Sequence, residues 1–358
     1  MRVAGPTLSE VARAAGVSLA TASRAINGSA NRTVGADLRE RVLATAARMG
    51  YTPDPSAQAM ARGRTTTVGL VVHDIADPYF SSLAAGVSDA ADREGLLVTL
   101  TSTQHSPARE LAFVELMDRQ RARALVLGGG RLSTSGDGGT PPDALRDALV
   151  RYRDGGGRVA LVGQALGDLP AVEIANRQGA ADLATALHGL GYRSFGVLAG
   201  PTGHRTAVDR AAGFAEALAA LGSPVDDTAV VPCEFTRDGG FAGMQELLAR
   251  TGPGGPPRAV LAVNDVMAVG AMAAARDAGL AVPRDVAVAG FDDIVTLRDV
   301  VPGLTTVRIP LVEVGQVALR LALGLPVGLD LPGVVHEVSP GRVEVRGTVV
   351  LRESTPSL

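Results

Sequence analysis

From Val68 onward the chain repeats one pattern: a short apolar run, then a stretch rich in Ala, Leu, Arg and Asp. The runs are VGLVV, LLVTLTS, ALVLGG, RVALVG, FGVLAG, AVLAVN and VAVAGF. Runs this short and this apolar suit strands buried on both faces, and the stretches between them, each roughly ten to fifteen residues, suit helices. The alternation predicts an α/β architecture of doubly wound parallel sheets. Such sheets bind ligands beyond the carboxyl ends of their strands. That rule draws attention to the stretch from His73 to Phe80, to Gln164, to the stretch from His204 to Arg210, and to Asn264, Asp265 and Asp292.

The repeat leaves the first part of the chain unexplained, and charge sets that part aside. Residues 1–64 carry nine arginines against four acids, a net of +5, whereas the whole chain of 358 residues is at −3. The remainder therefore holds −8, so a basic head stands before an acidic body. A basic head suits a polyanionic partner, although charge alone fits a solvated helical face equally well. Every basic residue is Arg, so no phosphate-loop lysine exists. The single cysteine, Cys233, excludes a disulfide framework and a cysteine-based zinc or iron–sulfur site. Neither metal nor cofactor is expected. The opening MRVAGPTLSE lacks an apolar signal core, and no run approaches the length of a membrane span, so a soluble cytoplasmic protein is expected.

Local signals give the head a form. Thr7 and Glu10 make a capping box, which starts a helix near Leu8, and Gly16 ends it. Ser18 caps a second helix from about Leu19 to Ile26, with Val17, Ala22 and Ile26 facing inward. A third runs from about Ala36 to Met49, with Leu38, Val42, Leu43, Ala46 and Met49 on one side. Two short helices across a tight turn form a helix-turn-helix, whose second helix enters the major groove.

The runs TLSEVARAAGVSLATASRAING and RERVLATAARMGYTPDPSAQAMARGRTTTVGLVV resemble the opening of a LacI/GalR-family transcriptional regulator. DPYF at 77–80, DRAAGF at 209–214, VNDVMAVGAM at 263–272 and VAVAGFDD at 286–293 extend the likeness over nearly the whole chain. The resemblance implies a helix-turn-helix head over residues 1–53, a hinge helix over 54–64, and a bilobed periplasmic-binding-protein-like sensor over 65–358. Its first lobe is expected at about 65–164 and 293–325, and its second at about 165–292 and 326–352. Crossings between lobes are expected near Gln164–Ala165, Phe291–Ile294 and Leu325.

By the same resemblance, Leu19, Ala20 and Arg24 are the specificity positions. Leu19 and Ala20 offer only apolar readout, and Arg24 can donate two hydrogen bonds to a guanine; the other reading of Leu19 is packing against the third helix. Ser18, Thr21, Ser23 and Asn27 suit phosphate. Ala57, Met60 and Arg62 fall in the hinge segment, with Met60 in the place of the family's minor-groove lever or, on the other reading, incidental in a linker. Arg210, Asn264 and Asp292 take the places that clamp an effector, and Phe235 that of an aromatic floor. His73, Asp74, Tyr79, Phe80 and Thr206 complete the expected wall, with Phe80 open to a core role and Asp292 to a capping one. Gln164 and Ala175 stand where the family often has acidic residues, which leaves the effector's identity open.

The implied function is a repressor that binds a palindromic double-stranded operator as a homodimer under control of a small molecule, a sugar or sugar derivative. A purine or nucleoside effector is the alternative. An enzyme is disfavoured: His73 and Asp74 are adjacent, and neighbours on a strand point to opposite faces. The glycine triplets at 128–130 and 155–157 lack a GxGxxG frame and read as loop and cap glycines. A transport binding protein would need an export signal where the basic head stands. A general chromatin binder would have no use for so large a sensor.

Overall fold

A computed structural model describes residues 6–27, 34–52, 63–130, 142–250, 255–327 and 334–358. The chain divides into two compact units, one holding the head and the other nearly all of the sensor.

The head consists of α1 (Leu8–Ala14), α2 (Leu19–Asn27) and α3 (Ala36–Arg48). Its starts and stops are those the local chemistry dictates. The Thr7 hydroxyl accepts from the Glu10 amide at 3.3 Å, and the Glu10 carboxylate accepts from the Thr7 amide at 2.7 Å. Gly16 takes φ +66°, a conformation that suits glycine best, and turns the chain toward α2. The Ser18 hydroxyl accepts from the Thr21 amide at 3.1 Å and so caps α2. The core is small and built mainly of alanine: Val11, Ala12, Ala15, Ala22, Ala25, Val42 and Ala46. Leu43, expected inside, is exposed, and the aliphatic face of Thr45 is buried instead. Thr45 tolerates this because its hydroxyl donates to the Arg41 carbonyl at 2.8 Å.

The sensor contains two parallel sheets. The first joins β1 (Thr67–Val72), β2 (Leu97–Ser102), β3 (Ala124–Gly128), β4 (Arg158–Val162), β5 (Ala171–Ile174), β11 (Val335–Ser339) and β12 (Arg342–Val345) in the order β11-β12-β5-β4-β3-β1-β2. Within it the β11–β12 pair runs antiparallel, and the pairs from β12 through β5, β4 and β3 to β1 are parallel. The second holds β6 (Phe195–Gly200), β7 (Val230–Pro232), β8 (Ala259–Ala262) and β9 (Ala287–Ala289), ordered β7-β6-β8-β9 and all parallel. A short antiparallel pair, β10 (Thr306–Arg308) with β13 (Thr348–Val350), completes the strands.

Helices α4 (Pro78–Arg93), α5 (Pro107–Arg119), α6 (Pro142–Asp154) and α11 (Leu311–Leu323) accompany the first sheet. Helices α7 (Asn176–Gly189), α8 (Arg205–Ala220), α9 (Arg237–Ala249) and α10 (Asp265–Asp277) accompany the second. Facing helices approach through glycine. A Cβ on Gly86 of α4 would lie 1.8 Å from the Val312 carbonyl oxygen, and one on Gly270 of α10 would lie 1.9 Å from that of Arg237.

The seven apolar runs all become strands, but two features differ from the expectation. LLVTLTS is an edge strand, and Leu97 is 71% exposed rather than buried. The lobe boundaries also move. β5 and the β11–β12 hairpin, expected in the second lobe, are hydrogen-bonded into the first sheet. The chain therefore leaves the first lobe after Ile174 rather than at Gln164–Ala165. It returns after β10 and leaves again after Val345 rather than at Leu325. Strands of three to five residues carry too little periodicity to place by sequence.

Candidate functional site

On the head, the start of α2 is open. Leu19 is 51% exposed, so it does not pack into the three-helix core, and Ala20 is exposed beside it. Arg24 lies one turn further along, half-buried. The Ser18 and Thr21 hydroxyls lie 2.8 Å apart, and the Asn27 side-chain amide donates to the Ser23 hydroxyl at 3.3 Å. The first pair lies at the exposed start of the helix and the second in its last turn. Ala57, Met60 and Arg62, with most of the expected hinge, lie outside the described residues. Arg64 donates to the Ala122 carbonyl at 3.0 Å.

In the sensor, a cavity of about 330 Å³ opens between the lobes at the carboxyl ends of both sheets. His73, Asp74, Tyr79, Phe80, Thr206, Arg210, Phe235, Asn264 and Asp292 all line it. Gln164 does not. The wall at that strand end is the backbone of Gly163, and Gln164 sits half-buried behind it. β1 ends at Val72, so the alternation expected of His73 and Asp74 no longer applies, and both reach the cavity.

The floor is an ion pair, 82 residues apart in sequence. Arg210 donates to Asp292 through both terminal nitrogens, at 2.7 and 3.2 Å. Its Nε donates to the Asn176 side-chain oxygen at 2.8 Å, its Nη1 to the Val263 carbonyl at 2.7 Å, and its plane lies 3.9 Å above the Phe291 ring. Arg210 is 1% exposed and Asp292 4%. Burial pushes the Asp292 carboxyl up to about 6, against the pull of Arg210. Asp292 does not cap a helix. Its φ of +118°, a conformation L side chains rarely adopt, aims the carboxylate at Arg210.

Among the described residues five helices begin at this cavity, and α7, which starts at Asn176, has no side-chain cap at Ala175. Asp77 caps α4 by accepting from the Tyr79 amide at 2.9 Å, and Thr236 caps α9 by accepting from Gly239 at 3.0 Å. Asn264 caps α10 by accepting from Met267 at 2.9 Å, which engages its side-chain oxygen and leaves its NH2 as a donor toward the cavity. Helix α8 begins at His204 with no side-chain cap. Asp265, a candidate from its strand-end position, is fully buried and turned away from the cavity. It accepts from the Ile294 amide at 2.9 Å and the Thr306 hydroxyl at 2.6 Å, and burial beside Asp292 pushes it up to about 7. It braces the chain just after Asp292 rather than meeting a ligand.

Rings form the remaining wall. His73 stacks on His105 with centroids 4.2 Å apart, His105 meets His204 edge-on at 6.3 Å, and His204 lies 5.0 Å from Phe235. Phe80 meets His73 edge-on at 5.5 Å; it belongs to the first lobe's core and also touches the cavity. Burial holds His204 down to about 4 and lowers His105. Sequence reasoning missed His105, Asn176, Thr236, Arg237 and the glycines at 129 and 130. His105 follows the end of β2, and the strand-end rule applied to every run would have found it. Asn176 follows β5, which is too short to be seen. Among the described residues no cluster of His, Cys, Asp or Glu suits a metal ion, and no helix is long and apolar enough to cross a membrane.

Both halves of this arrangement have counterparts in known proteins. Residues 7–54 match the profile described as bacterial regulatory proteins, lacI family, and residues 184–355 match a periplasmic binding protein-like domain. The HTH-type transcriptional regulator GalR of Escherichia coli (strain K12) is 34% identical over 98% of this chain and 97% of its own length. The HTH-type transcriptional repressor CytR of the same strain is 32% identical over 88% of this chain and 89% of its own. Among solved structures, the transcriptional regulator CelR in complex with cellobiose is 30% identical, with a TM-score of 0.67 over 98% of this chain and 99% of that one. The lac repressor dimer bound to operator and the anti-inducer ONPF shares the fold, with a TM-score of 0.77 at 24% identity over 99% of this chain and 100% of that one. With an open recognition helix on its head, a cleft between two parallel-sheet lobes, and relatives matching along almost its entire length, this chain belongs to the LacI family of bacterial transcriptional regulators.

Proposed function

We propose that the chain is a cytoplasmic repressor that reads a palindromic operator through α2 as a homodimer, and that a small polyhydroxylated molecule in the interlobe cavity sets its affinity for DNA. As a member of a family of transcriptional regulators it is not an enzyme. The observation that carries the reading is the cavity wall, where charged and amide groups stand beside aromatic rings. A carboxylate accepts, a guanidinium and an amide donate, and a ring covers the C–H face of a sugar. CelR with cellobiose, and the lac repressor with ONPF and operator, are the relatives that point the same way. The unpaired, partly apolar edge of β2, with Leu97 exposed, is a surface of the kind a second copy covers.

In the head, Leu19 and Ala20 meet apolar base edges, Arg24 meets a guanine, and Ser18, Thr21, Ser23 and Asn27 hold phosphates. Ala57, Met60 and Arg62 act at the operator centre. In the cavity, Arg210 and Asp292 act as one paired unit with Asn264 beside them, while Tyr79, Phe80, Phe235, His73, Asp74 and Thr206 enclose the ligand. Gln164 acts only indirectly, behind Gly163. The ring-rich wall gives one reason to keep a nucleoside as the second reading.

A melting-temperature panel of sugars, sugar phosphates, nucleosides and nucleobases tests this. A ligand at 100 times its dissociation constant adds about 2.7 kcal/mol of stability. The expected result is a hit that Asn264→Ala weakens. A hit indifferent to Asn264→Ala and Phe235→Leu contradicts the assignment of the cleft.

A further inference from the structure

Two of the described helices open onto the cavity without a side-chain cap, α7 after Ala175 and α8 after His204, and α8 is the one that begins at an imidazole. It runs for 16 residues, has no acidic residue in its first turn, and begins at His204. The first-turn amides of such a helix carry a partial positive charge and attract anions when nothing else satisfies them. That alone would define no site, but two side chains add to it. His204 is 6% exposed and lines the cavity; its ring also meets the Gly130 backbone, while its Nδ1 is buried without a hydrogen-bond partner among the described residues. The Thr206 hydroxyl also lines the cavity, and no hydrogen bond engages it among the described residues. The backbone opposite is shaped for these two. A Cβ on Gly130 would come within 2.6 Å of the His204 ring and 2.7 Å of the Thr206 hydroxyl, so only glycine leaves both in place.

The surrounding charges favour the same class of ligand. The acids on the wall already have partners: Asp292 has Arg210, Asp77 caps α4, and Asp74 accepts from the Ala76 amide at 3.0 Å. Arg237 also lines the cavity; its guanidinium pairs with its exposed chain neighbour Asp238 and lies 5.6 Å from the Phe241 ring. A donor-rich helix end, an imidazole and a hydroxyl therefore share one side of the cavity.

We infer that the start of α8, with His204 and Thr206, is a subsite for an oxyanion, so that the effector carries a phosphate or a carboxylate in addition to its hydroxyls. This rests on the reading of the cavity as the effector site. The anion accepts from the α8 amides, from the Thr206 hydroxyl and from one imidazole N–H. The Arg210–Asp292 pair faces the uncharged part of the ligand.

Calorimetric titration of the full chain separates the possibilities. Inorganic phosphate, glucose, glucose 6-phosphate and glucuronate are the probes, set beside whatever uncharged ligand the melting panel yields. Saturable binding of phosphate, or a clear preference for glucose 6-phosphate over glucose, is expected for a phosphate subsite, and a preference for glucuronate for a carboxylate one. His204→Phe keeps the ring against Phe235 and removes both nitrogens, and Thr206→Val keeps the shape and removes the hydroxyl. Each should reduce the preference for the anionic probe by about tenfold, the scale of one charge-assisted hydrogen bond. Gly130→Ala, which crowds both side chains, should do the same, so the idea does not hang on a single variant's folding, which melting curves will report. Anion binding that survives all three substitutions overturns the subsite, as does the absence of any anion preference. If an uncharged ligand still binds and depends on Asn264, the cleft stands and only the subsite falls. If neither kind binds, both fall together.

Discussion

The head and the cleft solve opposite problems with the same backbone. The head keeps its functional side chains outside a minimal core: Val11, Val42 and five alanines are buried, while Leu19, a leucine, is left half in solvent. The cleft keeps charge inside: Arg210 and Asp292 are almost wholly buried and bound to each other. In the head, Leu19 and Ala20 can be replaced without disturbing the fold, because the core does not use them. In the cleft the binding groups are part of the structure. A reading that treats Arg210 as a free clamp, removable with only the ligand response lost, does not survive this geometry.

Substitutions can break that contrast, and Arg210→Ala should have the largest effect. It strands the Asp292 carboxylate, the Asn176 oxygen and the Val263 carbonyl in a buried site. A loss of about 3–5 kcal/mol is expected in denaturant unfolding of the sensor. A change below 1 kcal/mol, on the scale of an exposed pair, would mean the pair is solvated in solution.

Next comes acidification. His204 has its folded pKa lowered to about 4 by burial, so between about 6.5 and 4 the unfolded chain takes up a proton that the native state refuses. Its contribution is intact above this window and is lost as pH falls through it, by up to about 3 kcal/mol. Asp265 and Asp292, raised to about 7 and 6, act in the reverse sense: the native state holds protons the unfolded chain has released, so stability falls as pH rises through those values. The difference between wild type and His204→Phe isolates the histidine, and it should grow as pH drops from 6.5 to 4. A constant difference would place His204 in water.

Smaller effects belong to the head. Arg24→Ala should cost about 1–3 kcal/mol of operator affinity at one base pair, with stability within about 0.5 kcal/mol of wild type. Equal weakening on every sequence would make Arg24 a phosphate contact instead. Thr7→Ala removes the first cap and should lower head stability by about 1 kcal/mol, read from amide exchange in α1.

The two regions also differ in how far their sequences disclose them. The capping box at Thr7 and Glu10, the turn at Gly16 and the cap at Ser18 act within three or four residues, so α1 and α2 could be placed to within a residue. The long runs around Val68, Ala124 and Phe195 are equally plain, because burial on both faces leaves an unbroken apolar signature. What stayed hidden is long-range. Nothing local says that Arg210 meets Asn176 and Asp292, or that β5 and β12 join the first sheet. The roles of Gly129 and Gly130 were invisible for the same reason: they make room for rings from His73 and His204, which lie 56 or more residues away in sequence. The strand-end rule found most of the wall because it is a statement about topology. It misplaced Gln164 and Asp265 because it cannot tell which way a side chain turns.

A ligand site in the sensor and DNA binding by the head are coupled in one molecule. Operator affinity should be titrated with and without a saturating cleft ligand, and ligand affinity with and without operator. The two ratios should agree, since coupling is reciprocal, and both should exceed about fivefold. A ligand that binds the cleft tightly and leaves operator affinity unchanged would contradict it.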